Sequence, residues 1–203
     1  PKSALTLGAD VFVHSAHKTL PAMTMSSFLH INNTSLVSRK LIERYLGMLH
    51  SSSPSYLLMA SLDDARAYVE SYTDADKKSF LKMRKNFINQ LIAVKGLQVV
   101  ESEDPLKLMI RADYYTGFQL LDALEKEDIY VELADPYQVL FILPLLKAGH
   151  AYQIDEFIMK LNRAIEWLGE HGEKIDSIHL PELTREITEL CYNRNELEQF
   201  QED

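Results

Sequence analysis

The chain has 203 residues, 46% of them hydrophobic and 25% charged, a balance that excludes wholesale disorder and suits one sizeable domain or the remnant of one joined to a smaller complete unit. No apolar run approaches the roughly 18 residues of a membrane span, residues 1–20 have neither the basic start nor the apolar stretch of a signal peptide, and the single cysteine, Cys191, excludes an internal disulfide, so a soluble cytoplasmic protein is expected. The net charge of −9 is uneven, residues 1–100 holding 12 Lys/Arg against 7 Asp/Glu and residues 101–203 holding 9 against 23, which argues against nucleic-acid binding because the acidic half repels phosphates.

Pro1 carries no initiator Met and leads almost at once into an apolar strand, which reads as a boundary left by cleavage or truncation. Val11-Phe12-Val13 and Ser26–Ile31 are predicted strands on either side of a loop from His14 to Met25. Leu36, Leu41, Ile42, Tyr45, Leu46 and Leu49 predict a helix capped by Thr34 or Ser35 and ending near His50. After the polar break at 51–55, Ser61-Leu62-Asp63-Asp64 has the spacing of a capping box that opens another helix. Thr73-Asp74-Ala75-Asp76 has the same form and precedes Phe80, Met83, Phe87, Leu91 and Val94, a long helix that stops at Gly96.

The pattern then changes. Strands are expected at Leu97–Val100 and Leu106–Ile110 around an Asp104-Pro105 turn, and a helix at Gly117–Lys126 with Phe118, Leu121 and Leu124 inward. Strands follow at Ile129–Leu133 and Val139–Leu143, and an amphipathic helix uses Ile154, Phe157, Ile158, Leu161, Ile165 and Leu168. The order β-β-α-β-β-α describes an α+β unit whose helices cover a sheet. Pro181 is expected in the first turn of another helix through Leu190, followed by an acidic end at 193–203. Three segments result: 1–72, a linking helix over 73–96, and an α+β region over 97–203.

The chemistry concentrates in Ser15-Ala16-His17-Lys18, where a strand delivers a hydroxyl, an imidazole and an amine within four positions. A lysine at a strand end can form a Schiff base with an aldehyde cofactor while its neighbours hydrogen-bond a phosphate. As spacing alone the signal is weak, since a lone lysine in a loop is far more often a solvated charge. Glu132 and Asp135, ending a predicted strand, could face a cationic side chain, although carboxylates are common at strand ends in so acidic a half. Asp10 reads as a turn or strand-edge residue, Tyr114-Tyr115 as packing, and the histidines at 30, 50, 150, 171 and 179 have no metal-ligand spacing.

Ser15-Ala16-His17-Lys18-Thr19-Leu20-Pro21-Ala22-Met23-Thr24 resembles the cofactor-attachment motif of the ornithine/lysine/arginine decarboxylase family, and Ser52-Ser53-Pro54-Ser55-Tyr56-Leu57-Leu58-Met59-Ala60-Ser61-Leu62-Asp63 resembles that family's next segment. The resemblance implies an α/β fold: residues 1–72 would be the C-terminal remnant of a fold type I large domain that binds pyridoxal 5'-phosphate, and the rest a small α+β C-terminal domain. It further implies that Lys18 attaches the cofactor and that Ser15 and His17 meet the phosphate or its surroundings. Ser52 or Ser53 would lie near a cofactor across a homodimer interface. The expected activity is decarboxylation of arginine, lysine or ornithine, with transamination on the same fold and a non-catalytic assembly module as the alternatives. Met25 stands where many members have Gln. The family's Gly-rich phosphate loop, ring-stacking side chain and pyridine-facing Asp lie upstream of the lysine strand, so the 203 residues alone are expected to be a poor catalyst.

Overall fold

The computed structural model describes residues 3–50, 53–150 and 152–175. Cys191, His179, the helix expected from Pro181 and the acidic end lie outside the described residues, as does Ser52. Two sheets are present. The first pairs β1 (Val11–Ser15) with β2 (Ser27–Ile31), antiparallel, with Val13 opposite Leu29. Between them sits one helical turn, α1 (Ala16–Thr19), inside the segment expected to be loop.

Two helices follow, α2 (Arg39–Leu49) and α3 (Tyr56–Glu70), both starting elsewhere than expected. The hydroxyl of Ser38, not Thr34 or Ser35, accepts the N–H of Leu41 at the start of α2. Ser55 caps α3 in the same way, so Ser61 lies inside the helix and not at its mouth. Both failures have one cause: several Ser/Thr residues precede each apolar pattern, and spacing does not choose among them.

Helix α4 (Asp74–Ile92) begins at the predicted capping box: the Thr73 hydroxyl accepts the Asp76 N–H and the Asp76 carboxylate accepts the Thr73 N–H. Beyond it, β3 (Leu97–Glu101), β4 (Lys107–Ala112), α5 (Gly117–Glu125), β5 (Leu133–Ala134), β6 (Val139–Ile142) and α6 (Ile154–His171) reproduce the expected β-β-α-β-β-α order. The four strands form an antiparallel sheet in the order β3-β4-β6-β5. Leu108, Ile110 and Ala112 alternate inward along β4 and meet Leu120, Leu124, Leu161 and Leu168 of α5 and α6, with Phe80, Phe87 and Leu91 of α4 in the same core. Full burial of such side chains stabilises by about 1.5–3 kcal/mol each.

Two details depart from expectation here. Phe118 is exposed while Leu120, Ala123 and Leu124 are buried, because the sheet and α6 select one of two overlapping apolar stripes on α5. The strand expected at 129–133 shrinks to Leu133–Ala134, since Asp128 takes a left-handed φ of 57° and turns the chain just before it. Gly117 is required: a Cβ there would lie 2.2 Å from the Gln138 carbonyl oxygen, where α5 abuts the β5–β6 hairpin.

Candidate functional site

Ser15 is extended and stands at the N-cap of α1, making no cap hydrogen bond through its side chain. Ala16 is buried and anchors the turn. Two residues further, at 100° per residue, Lys18 faces away from that anchor. Its side chain is half exposed and opens on two concavities. One, of about 660 Å³, is walled by Lys18, Pro21, Tyr68, Glu132 and the chain from Leu143 to Leu146. The other, of about 1000 Å³, lies on the hairpin side with Ser15, His14, His30 and Arg66. There Phe12 stacks on His30 with ring centroids 4.6 Å apart, and His14 meets both rings edge-on.

On the wall of the first concavity, Lys18 Nζ lies 2.8 Å from Glu132 Oε1. The structure thus brings together two candidate residues that are far apart in sequence. Glu132 is held by its own backbone, whose N–H donates to the Leu140 carbonyl beside β6. Asp135 is not part of this meeting. Its Oδ1 accepts the N–H groups of Tyr137 and Gln138 and closes the β5–β6 turn, the ordinary use of Asp in turns.

His17 Nδ1 lies 2.9 Å from the Ser26 carbonyl oxygen. A carbonyl only accepts, so Nδ1 carries the hydrogen and Nε2 is the nitrogen left for another partner. Ser53 lies just before the α3 cap and lines neither concavity. Asp10 does what a strand-edge residue does: its Oδ1 accepts the Leu36 N–H. Tyr115 is buried, whereas Tyr114 is exposed with a left-handed φ of 67°. Among the described residues no three His, Cys, Asp or Glu side chains gather as a metal site, and no helix is long and apolar enough to cross a membrane.

Sequence reasoning missed Tyr68 and the Leu143–Leu146 wall. Tyr68 is one aromatic in a helix, and Leu-Pro-Leu-Leu carries no functional group. The site contributions of both arise only from tertiary contact, so no pattern along the chain marks them.

Comparison with known proteins gives a consistent result. A sequence model of the family described as Orn/Lys/Arg decarboxylase, major domain, matches residues 1–103, through α4 and β3. An uncharacterized protein, YaaO, of Bacillus subtilis is 44% identical over 173 residues, which cover 79% of this chain and 36% of that protein. The arginine decarboxylase of the same organism is 35% identical over 155 residues, covering 70% of this chain and 31% of the enzyme. The chain therefore spans about a third of the length of these relatives. Among solved structures, the Francisella novicida lysine decarboxylase LdcF superposes with a TM-score of 0.58 at 20% identity, covering 78% of this chain and 28% of that one.

Proposed function

Since this chain belongs to the Orn/Lys/Arg decarboxylase family, with the α/β fold of fold type I enzymes followed by a small α+β unit, we propose that the full-length enzyme decarboxylates a basic amino acid and that Lys18 attaches its pyridoxal 5'-phosphate. The observation that carries this reading is the placement of the Lys18 amine: it stands on the single helical turn α1 that follows β1, three residues after Ser15, and opens on concavities large enough for a cofactor and a substrate. Lys18 and Ser15 fit the attachment end of the cofactor, with a primary amine for the aldehyde and a hydroxyl beside it; His17 lines neither concavity and is oriented by its Nδ1 bond to the Ser26 carbonyl, so its Nε2 would donate to a phosphate only as an imidazolium. They do not by themselves supply a full phosphate cup, and the 203 residues alone are proposed to be a poor catalyst.

When bound, pyridoxal phosphate supplies the sink for the electron pair left on the substrate α-carbon as carbon dioxide departs. With the cofactor bound, Lys18 would be the residue that holds a proton at Nζ and passes it to the substrate α-carbon. Glu132 holds the Lys18 ammonium at 2.8 Å in this structure, and its carboxylate is the proposed partner for the distal ammonium or guanidinium of the substrate, which requires Glu132 to part from Lys18. Asp135, already engaged by two backbone N–H groups, contributes by holding the turn. We propose a cytoplasmic homodimer, with Ser52 and Ser53 near the partner's cofactor.

Lys18→Ala in the full-length enzyme is expected to abolish turnover with the fold intact. Lys18→Arg is expected to fail as well, because arginine keeps the charge but stays protonated and cannot act as the amine. Carbon dioxide with a diamine or agmatine as products supports decarboxylation. A keto acid product would favour transamination, and normal turnover in both variants would remove Lys18 from the mechanism.

A further inference from the structure

Resting on this reading of Lys18, we infer that one face of α3, formed by Ser61, Ala65 and Tyr68, together with Tyr72 just beyond the C-cap Ser71, is the positioning element of the lysine site and holds the lysine loop and the opposite wall together. Ser61, Ala65 and Tyr68 recur at i, i+4 and i+7, a spacing that keeps them on one side of the helix, and Tyr72 follows two residues past its end. At one end the Ser61 hydroxyl accepts the N–H of Met23 at 2.6 Å, which ties down the segment just after Lys18. Ala65 is fully buried midway. At the other end the Tyr68 hydroxyl donates to the Leu145 carbonyl at 2.5 Å and the Tyr72 hydroxyl to the Leu146 carbonyl at 3.1 Å. Ser61 and Tyr68 stand about 10 Å apart along the helix at 1.5 Å per residue.

The wall gripped in this way is the strap 144–148, and each of its residues is held by a side chain. Tyr152 donates to the Pro144 carbonyl, Lys147 Nζ donates to Ser71 Oγ at 2.7 Å while lying over the Tyr68 ring, and the Ala148 N–H donates to Asp76 at 2.8 Å. Burial pushes the phenols of Tyr72 and Tyr152 up, so both hydroxyls stay protonated donors near neutral pH. Pro144, Leu145 and Leu146 line the concavity that holds Lys18. The strap also continues β6, and the Leu140 carbonyl at the middle of β6 accepts the Glu132 N–H. The backbones that carry Lys18 and Glu132 are therefore connected through α3, the strap and β6, and this connection sets how their side chains meet at 2.8 Å. Neither Ser61 nor Tyr72 lines the concavity, so both act through other residues.

Ser61→Ala and Tyr72→Phe in the full-length enzyme test the idea. Loss of one such hydrogen bond is expected to speed hydrogen exchange at residues 145–148 about fivefold in Tyr72→Phe, in the cofactor-free protein as well as the loaded one. Each variant is expected to raise KM for the basic amino acid about three- to tenfold with kcat changed less than about twofold, because a displaced wall weakens binding without touching the reacting atoms. Ser61→Thr keeps the acceptor and is expected to restore KM. A merely structural role would lower the active fraction with KM and exchange unchanged, and that result overturns the inference. Lys18→Ala separates the two claims: if it abolishes turnover while Tyr72→Phe changes neither KM nor exchange, only the α3 inference fails. If turnover survives Lys18→Ala, the lysine reading itself fails.

Discussion

Residues 3–72 and residues 74–175 both carry helices and strands of ordinary length, yet they treat their apolar side chains in opposite ways. In the first region the only buried residues among those described are Ala16, Ser26 and Ala65; in the second a continuous cluster runs from Phe80 to Leu168. Helices α2 and α6 make the contrast sharp. Both are amphipathic, but Leu41, Tyr45, Met48 and Leu49 of α2 are exposed, while Leu161, Ala164 and Leu168 of α6 are buried against α5 and the sheet. Amphipathic spacing makes a helix face; only a second layer buries it. The first region thus presents a surface that requires covering, and the second is a closed two-layer unit to which it is fastened through α3 and the strap.

The largest expected effect breaks this contrast at the core. Leu108 is fully buried near the start of β4, so Leu108→Ala should destabilise the C-terminal unit by about 2–5 kcal/mol, read as a fall in the urea midpoint at constant slope. Leu57→Ala, the same class of change at a 73% exposed position of α3, should stay within about 0.5 kcal/mol. Equal losses at the two sites would mean that the regions share one core.

A smaller effect concerns association. Neither β1 nor β2 has a second sheet neighbour among the described residues, and Val13 and Leu49 are 62% and 83% exposed. The 203-residue chain should associate in a concentration-dependent way, and Val13→Lys or Leu49→Lys should each weaken that association about fivefold or more by sedimentation. A strict monomer, or association unchanged by both substitutions, would show that this surface is not the one that pairs.

The same contrast explains what was legible in the sequence. The C-terminal unit could be read element by element because its periodicities, the Thr73 capping box and the Asp104-Pro105 turn all agree with the burial that follows. Its misreadings arose where two local choices were equivalent, as with Phe118 against Leu120. In the first region Lys18 stood out by its neighbours and its motif, and both strands were found. The pairing of Lys18 with Glu132 was not legible, since it depends on how the strap and β6 come back beside α1. Ser61 was misread for a related reason: its hydroxyl looks like a cap by spacing but is used by Met23.

The most modest expected effect lies where the two regions are fastened, and it is set by pH. Asp76 accepts three hydrogen bonds, from the Thr73 hydroxyl, the Thr73 N–H and the Ala148 N–H, and these, the Thr73 hydroxyl first, hold its carboxyl at about 2, down from the ordinary 3.8. A carboxyl whose folded pKa is depressed favours the folded state in its ionised form. Its contribution is complete above about pH 4 and is lost as pH falls toward 2. The strap should therefore loosen in acid before the sheet does, with exchange at Ala148 accelerating between pH 4 and pH 2 relative to β4. Asp76→Asn keeps one acceptor oxygen and sets a donating NH2 against either the two Thr73 donors or the Ala148 N–H, so it should weaken this junction at every pH and flatten the acid limb. Identical acid profiles for the two proteins between pH 4 and pH 2 would show that Asp76 does not carry the pH dependence of this junction.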